Sequence, residues 1–179
     1  MRNSLSPWKG QHILLKALTY CPHNVVAIFV GDALFGESDY VTQLHQQVTE
    51  LGLEDRVEFL GFRSDVIPLM AACDLAAHTS TSPEPFGRTI VEAMLCGCPV
   101  VAAAAGGAIE LIEDSTTGWL LPPGDERALA EAIEWCVLHP EAAATIAHRG
   151  RQHALDRFPL KRTIAQIDRL LQQTIGISG

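Results

Sequence analysis

The sequence is short of positive charge. Lysine and arginine number 13 against 21 aspartate and glutamate, a formal net charge of -8 over 179 residues. That balance argues against a general surface for nucleic acid or anionic membrane, and it requires any phosphate ligand to be held by a few local donors. No apolar run approaches the roughly 18 residues that span a bilayer, and no signal-peptide pattern precedes the first helix. The five cysteines are odd in number and form no C-x2-C pair; Cys96-Gly97-Cys98 is too tight for a zinc site. Reduced core cysteines in a cytoplasmic protein follow as the expectation. The seven histidines have no H-E-x-x-H spacing, so no metal site is assigned. There is no internal repeat and no low-complexity linker. The length allows one substantial core and not two full domains.

What the chain does have is concentrated between Thr79 and Gly107. Pro83 and Pro85 hold the backbone extended around Glu84. Gly87 permits a tight turn and a close approach to the backbone. From Arg88, the apolar positions Ile90, Val91, Met94 and Leu95 recur at helical spacing. The free N–H groups of that first turn form an anion site, reinforced by the positive end of the helix dipole. Glu84 lies just outside it and Glu92 a little over one turn inside. Carboxylates there would repel a bare phosphate but suit a ligand that also carries hydroxyls. A sugar nucleotide meets that description, with one carboxylate for the sugar and one for the ribose. The bland alternative is a helix with a proline-rich start and two solvated glutamates.

The rest of the chain alternates strand and helix. Val25–Val30, Arg56–Leu60, Cys73–Thr79, Pro99–Ala104 and Gly118–Pro122 read as strands. Helices are expected around Ile13–Leu18, over Asp39–Leu51, around Val66–Met70, from Arg88, at Glu110, after Asp125, over Glu141–Leu155 and over Pro159–Gln173. Asp125 is the expected N-cap of one helix, and Ser64 or Asp65 of another. Gly31 and the pair Gly106-Gly107 follow strands, at the end where open α/β sheets bind ligands, and allow close backbone approach. Lys9 stands near a helix start, where a cation is disfavoured unless an anion sits between the two; a plain surface lysine is the alternative. Trp119 reads as core. The fold class is therefore α/β, a doubly wound, mainly parallel, Rossmann-like sheet.

E-P-F-G-R-T-I-V-E-A-M-L-C-G-C-P-V-V-A resembles the donor-site signature of retaining glycosyltransferases of family 4, the group 1 type with the GT-B architecture. The likeness extends from Ser6-Pro7-Trp8-Lys9-Gly10 to about Phe158. It implies the C-terminal, nucleotide-sugar-binding domain over residues 1–158, with a helix over 159–179 that crosses towards an N-terminal acceptor domain. By resemblance, Lys9 and Gly10 would meet the diphosphate together with the N–H groups near Phe86, Gly87, Arg88 and Thr89. Glu84 would hold sugar hydroxyls, Glu92 the ribose, and Phe62 and Arg63 the nucleobase, although the last two also read as ordinary loop residues. Glu84 and Lys9 would be the catalytic pair.

The family's donor domain normally opens with a buried apolar strand ending in Gly-Arg. That strand is not recognisable here, and Ser4 stands where the arginine would fall, with Arg2 out of register. The resemblance implies sugar transfer with retention, a nucleotide diphosphate sugar as donor and no obligatory cofactor or metal. The expected partner is an N-terminal acceptor domain in cis or in trans, without nucleic acid. Membrane contact would come only through that missing part, with the chain cytoplasmic or peripheral and inactive alone. A non-catalytic nucleotide-sugar-binding or regulatory module is the alternative from another class; an epimerase or phosphorylase fragment fits the motif less well.

Overall fold

Gly10 and Gly150 each bring two pieces of backbone closer than any side chain would allow, and the layers are organised around such contacts. The structure, a computed structural model, describes residues 4–33 and 36–158. A single 3-10 turn, Pro7–Lys9, leads into α1 (Gln11–Leu18). There follow β1 (Ala27–Phe29), α2 (Ser38–Glu50), β2 (Val57–Phe59), α3 (Val66–Ala72) and β3 (Ala76–His78). The second half runs α4 (Arg88–Cys96), β4 (Val100–Ala103), α5 (Ala108–Leu111), β5 (Trp119–Leu121), α6 (Glu126–Leu138) and α7 (Pro140–Arg157). The helix expected over Pro159–Gln173, with the 159–179 segment, lies outside the described residues.

The α/β, Rossmann-like reading holds. The strands among the described residues are all parallel and pair as β1-β2 and β3-β4-β5. Pairing is in register at Ala27 with Val57, Ala76 with Val100, and Val101 with Trp119. Between β1 and β3 lies a cleft of about 970 Å³, bordered by residues of both strands. Each strand is also shorter than its apolar run, because its ladder of hydrogen bonds covers only part of the run.

Three apolar clusters hold the layers. Leu15 and Leu18 of α1 pack with Phe29 of β1 and Leu44 and Val48 of α2. Ile13 and Ala17, on the other face of α1, pack with Val101 of β4 and Leu129 and Ile133 of α6. Ile90, Val91 and Met94 of α4 meet Val100, Leu111 and Ala154. Helix α1 thus spans both sheets, each buried leucine or isoleucine stabilising by roughly 1.5–3 kcal/mol. Trp119 packs 5.4 Å from Trp135, between β5 and α6, as core.

Asp125 caps α6 as expected, accepting from the N–H groups of Arg127 and Ala128. The expectation at α3 needs correcting. Asp65 holds the N-cap position, but its carboxylate makes no cap bond; it receives a two-pronged contact from Arg63 at 2.8 and 2.7 Å instead. A charge-assisted, bidentate partner outcompetes a single backbone N–H. All five cysteines are free. Burial pushes the Cys98 thiol up to about 12 and those of Cys21 and Cys136 to about 11. Among the described residues no helix is long and apolar enough to cross a membrane.

Glycine-to-alanine exchange within a helix ordinarily stabilises by up to about 1 kcal/mol. At Gly150, in the middle of α7, a methyl would sit 2.5 Å from the Thr117 carbonyl oxygen. Gly150→Ala is therefore expected to destabilise by about 1–2 kcal/mol, and Gly10→Ala by at least as much, since Gly10 has φ +73° and its Cα abuts the Thr79 carbonyl. Urea midpoints decide this: an alanine at position 150 that raises the midpoint would show that the contact relaxes freely.

Candidate functional site

The loop after β3 is where the sequence concentrates its turn-formers, and it closes on itself through glycines. Gly107 donates its N–H to the Glu84 carbonyl at 2.8 Å. A methyl on Gly106 or Gly107 would collide with the backbone of Glu84 or Phe86 respectively. The close approach they permit brings the signature loop against the turn after β4. Gly31 is similarly engaged, its N–H bonded to the Gly61 carbonyl at 2.9 Å.

Gly87 occupies the left-handed region (φ 78°, ψ 52°) and starts α4 without a side-chain cap. The N–H groups of Arg88 and Thr89, at the head of the helix, have no preceding turn to bond to and remain available. Arg88 and Thr89 border the same cavity as Lys9, His78, Ser80 and Glu84.

Glu84 is the centre of this group. Lys9 Nζ donates to its Oε1 at 2.7 Å and Ser80 Oγ to the same atom at 2.8 Å. His78 Nε2 lies 3.2 Å from that oxygen, with both side chains nearly buried. All three groups converge on Oε1, so among the described residues Oε2 has no protein partner. His78, then burial working in the opposite direction, then Lys9 and Ser80 set the pKa of the carboxyl, and the balance lowers it to about 2. Lys9 also sits 4.5 Å over the Trp8 ring. Its backbone carbonyl accepts from Thr79 Oγ1 at 3.0 Å, fixing the turn that carries it.

The remaining expected residues are spread around this centre. Arg88 Nε and Glu92 Oε1 are 3.5 Å apart, one turn from each other on α4. Phe86 is half-exposed and meets Phe158 edge-on at 5.6 Å. Phe62 projects from the loop after β2, 55% exposed, and Arg63 beside it is occupied by Asp65. Gly31, Phe62, Arg63, Phe86 and Glu92 do not border the cavity that Lys9 and Glu84 share.

Sequence reasoning missed His78 and Ser80. Both ring nitrogens of His78 are buried without an aligned hydrogen bond, and Ser80 is 2% exposed. The available signal was position: both follow the apolar part of a strand, at the end where such sheets bind ligands.

A carboxyl whose acidity is raised by folding stabilises the fold above its unfolded value and loses that contribution as pH falls through its folded value. Glu84 is expected to contribute on the order of 2–3 kcal/mol above about pH 5, lost progressively towards about pH 2. Urea unfolding at about pH 5 and about pH 3 should show a steeper loss in the parent than in Glu84→Gln. Equal losses would mean that the carboxyl is not held ionised.

Against this geometry, three comparisons agree. The family model described as "Glycosyl transferases group 1" matches residues 1–153. The lipopolysaccharide core biosynthesis glycosyltransferase LpsE of Rhizobium meliloti is 31% identical over 150 residues, 84% of this chain and 42% of that protein. The human alpha-1,3/1,6-mannosyltransferase ALG2 is 30% identical over 155 residues, 86% of this chain and 37% of its own length. Among solved structures, Anabaena Alr3699/HepE in complex with UDP-glucose superposes with a TM-score of 0.94 at 59% identity, covering 96% of this chain and 47% of that one. Sucrose-phosphate synthase from Thermosynechococcus elongatus gives a TM-score of 0.89 at 31% identity, over 97% of this chain and 44% of its own. The chain spans less than half the length of each of these proteins. With a family match over most of its length and a shared Rossmann-like, GT-B-type fold, the chain belongs to the group 1 glycosyl transferases.

Proposed function

We propose that this chain is the donor-binding half of a retaining, family 4 glycosyltransferase that takes its sugar from a uridine diphosphate sugar. In this reading it is the C-terminal domain, residues 1–158, with 159–179 reaching towards an N-terminal acceptor domain in cis or trans. It is inactive without that domain. A cytoplasmic location, with any membrane contact made by the rest of the enzyme, belongs to the same proposal.

The observation that carries the reading is the arrangement at Glu84. Three protein groups hold one carboxylate oxygen and leave the other for a hydroxyl, beside a lysine and a helix start. The HepE complexes with UDP, with UDP and glucose, and with UDP-glucose support the choice of base and sugar class.

Lys9 and the N–H groups of Arg88 and Thr89 take the diphosphate, with Arg88 assisting. Lys9 then turns from Glu84 to phosphate, while Ser80 and His78 keep the carboxylate in place. Glu84 Oε2 accepts from a sugar hydroxyl and Glu92 accepts from the ribose, with Phe62 and Arg63 beside the base. As the bond between the sugar's anomeric carbon and the diphosphate oxygen breaks, negative charge develops on the leaving diphosphate. Lys9 and the head of α4 stabilise that charge, with no metal assigned. Removing one such donor typically costs roughly 2.7–4 kcal/mol of barrier stabilisation.

Calorimetric titration of the chain with UDP and UDP-glucose tests the assignment. Lys9→Met is expected to weaken UDP roughly ten- to hundredfold, matching one charge-assisted hydrogen bond of about 1.5–3 kcal/mol. Glu84→Gln should leave UDP binding unchanged or tighter, because it releases Lys9, and weaken UDP-glucose relative to UDP. Equal losses for both ligands would remove Glu84 from sugar recognition. Ser4, in the place of the family's arginine, favours the alternative of a binding module. Sugar transfer on adding the N-terminal half of a relative supports the enzyme; UDP-glucose binding without transfer supports the module.

A further inference from the structure

His78 stands beside the site carboxylate without being bonded to it. It ends β3, its side chain is 8% exposed, and its Nε2 lies 3.2 Å from Glu84 Oε1. Neither ring nitrogen has an aligned hydrogen-bond partner among the described residues. A buried imidazole in that state has given up its bonds to water and received nothing in return, which native structures seldom allow without a reason. The reason here is crowding. Lys9 Nζ and Ser80 Oγ already donate to Oε1 at 2.7 and 2.8 Å, so a third donor finds that oxygen taken.

Donor binding changes that competition. Among the described residues, Lys9 is the only permanently charged cation in ion-pair contact with Glu84. Once it turns to the diphosphate, a carboxylate only 11% exposed is left without its counter-charge, which is strongly unfavourable away from water. Ser80 offers an O–H but no charge. His78 is close enough to take the lone pair that Lys9 vacates, and a protonated ring brings a full charge together with the N–H. Imidazole is ordinarily a stronger base than carboxylate, so a proton entering this pair goes to the ring.

The surroundings favour that proton. β4, paired with β3 at His78 and Ala102, brings only apolar side chains, Val100–Ala103. Arg88, at the head of α4, borders the same cleft as His78, but its Nε is engaged 3.5 Å from Glu92 Oε1. Asp125, which caps α6, shares with His78 a second hollow of about 20 Å³, room for one water against the ring. Two carboxylates, Glu84 and Asp125, thus face His78 against the cations Lys9 and Arg88. An incoming diphosphate adds negative charge to that balance.

We infer that His78 is a positioning residue of the donor site: as Lys9 moves to the diphosphate, the His78 ring takes up a proton from solvent, donates through Nε2 to Glu84 Oε1, and keeps Oε2 aimed at the sugar hydroxyl. An unaligned contact becomes a charge-assisted hydrogen bond, and Glu84 stays ionised throughout. Donor binding is thereby linked to proton uptake. A complex that binds more protons than its free components weakens as pH rises, so donor affinity falls on the alkaline side. The inference rests on the donor-site roles proposed for Lys9 and Glu84, and the two fail in different ways.

The test titrates the 179-residue chain with UDP-glucose, whose phosphates exchange no proton near neutral pH. Calorimetry in buffers of different ionisation enthalpy counts the protons taken up. The parent should take up a substantial part of one proton, and its Kd should rise by up to about tenfold per pH unit above neutrality. His78→Gln keeps an N–H donor that cannot become charged. It should still bind UDP-glucose, with neither the buffer dependence nor the pH slope. Lys9→Met removes the cation without any nucleotide, and by NMR its His78 ring should hold a proton to higher pH than in the parent. UDP-glucose binding without proton uptake, or with equal uptake in His78→Gln, overturns the proposal and leaves the donor site standing. An unchanged ring titration in Lys9→Met overturns it too. Failure of the parent to bind UDP-glucose overturns the donor site itself, and the linkage with it.

Discussion

The attachment of the Pro7–Gly10 turn to the loop after β3 is the constraint on which the rest depends. Thr79 Oγ1 reaches the Lys9 carbonyl, and Thr81 donates both its N–H and its hydroxyl to the Trp8 carbonyl. Gly10 lies against the Thr79 carbonyl where no side chain fits. The Lys9–Glu84 contact closes the same seam across 75 residues. Because β1 and β3 do not pair among the described residues, this seam and the two-faced packing of α1 help tie the β1-β2 sheet to the β3-β4-β5 sheet. The seam also sets where the charged groups of the site stand. Fold and site share one set of contacts, and a change at Gly10 or Thr79 reaches both.

The layers were legible because they depend on local signals. Period, β-branched runs and glycine stops placed each described helix and strand to within a few residues, and Asp125 was legible as a cap because a cap bonds only to its own helix. What was not legible involved competition or distance. Asp65 sits where a cap belongs, yet Arg63, two residues away, holds its carboxylate. Nothing in the spacing of charges says which of two available partners wins. The pairing of the strands was likewise hidden, since each strand reads the same whether its second edge is paired or open.

At the site, the stretch from Glu84 to Glu92 could be read because proline, glycine and carboxylate each act through their own backbone or charge. The groups that meet Glu84 could not. His78 looks like an interior residue of an apolar strand, and Ser80 like one of several loop hydroxyls. Their meeting on one oxygen depends on how the loop folds back, which Gly106 and Gly107 decide from more than twenty residues away.

Holding one carboxylate oxygen from three sides has a consequence for the cost of recognition. A free glutamate side chain loses up to about 2 kcal/mol of rotamer entropy when it is fixed. Here that loss occurs at folding, because Lys9, Ser80 and His78 have already chosen the rotamer and the plane of the carboxylate. Whatever meets Oε2 finds its acceptor already aimed. An acceptor oxygen fixed in this way does not follow a donor that is displaced by a fraction of an ångström.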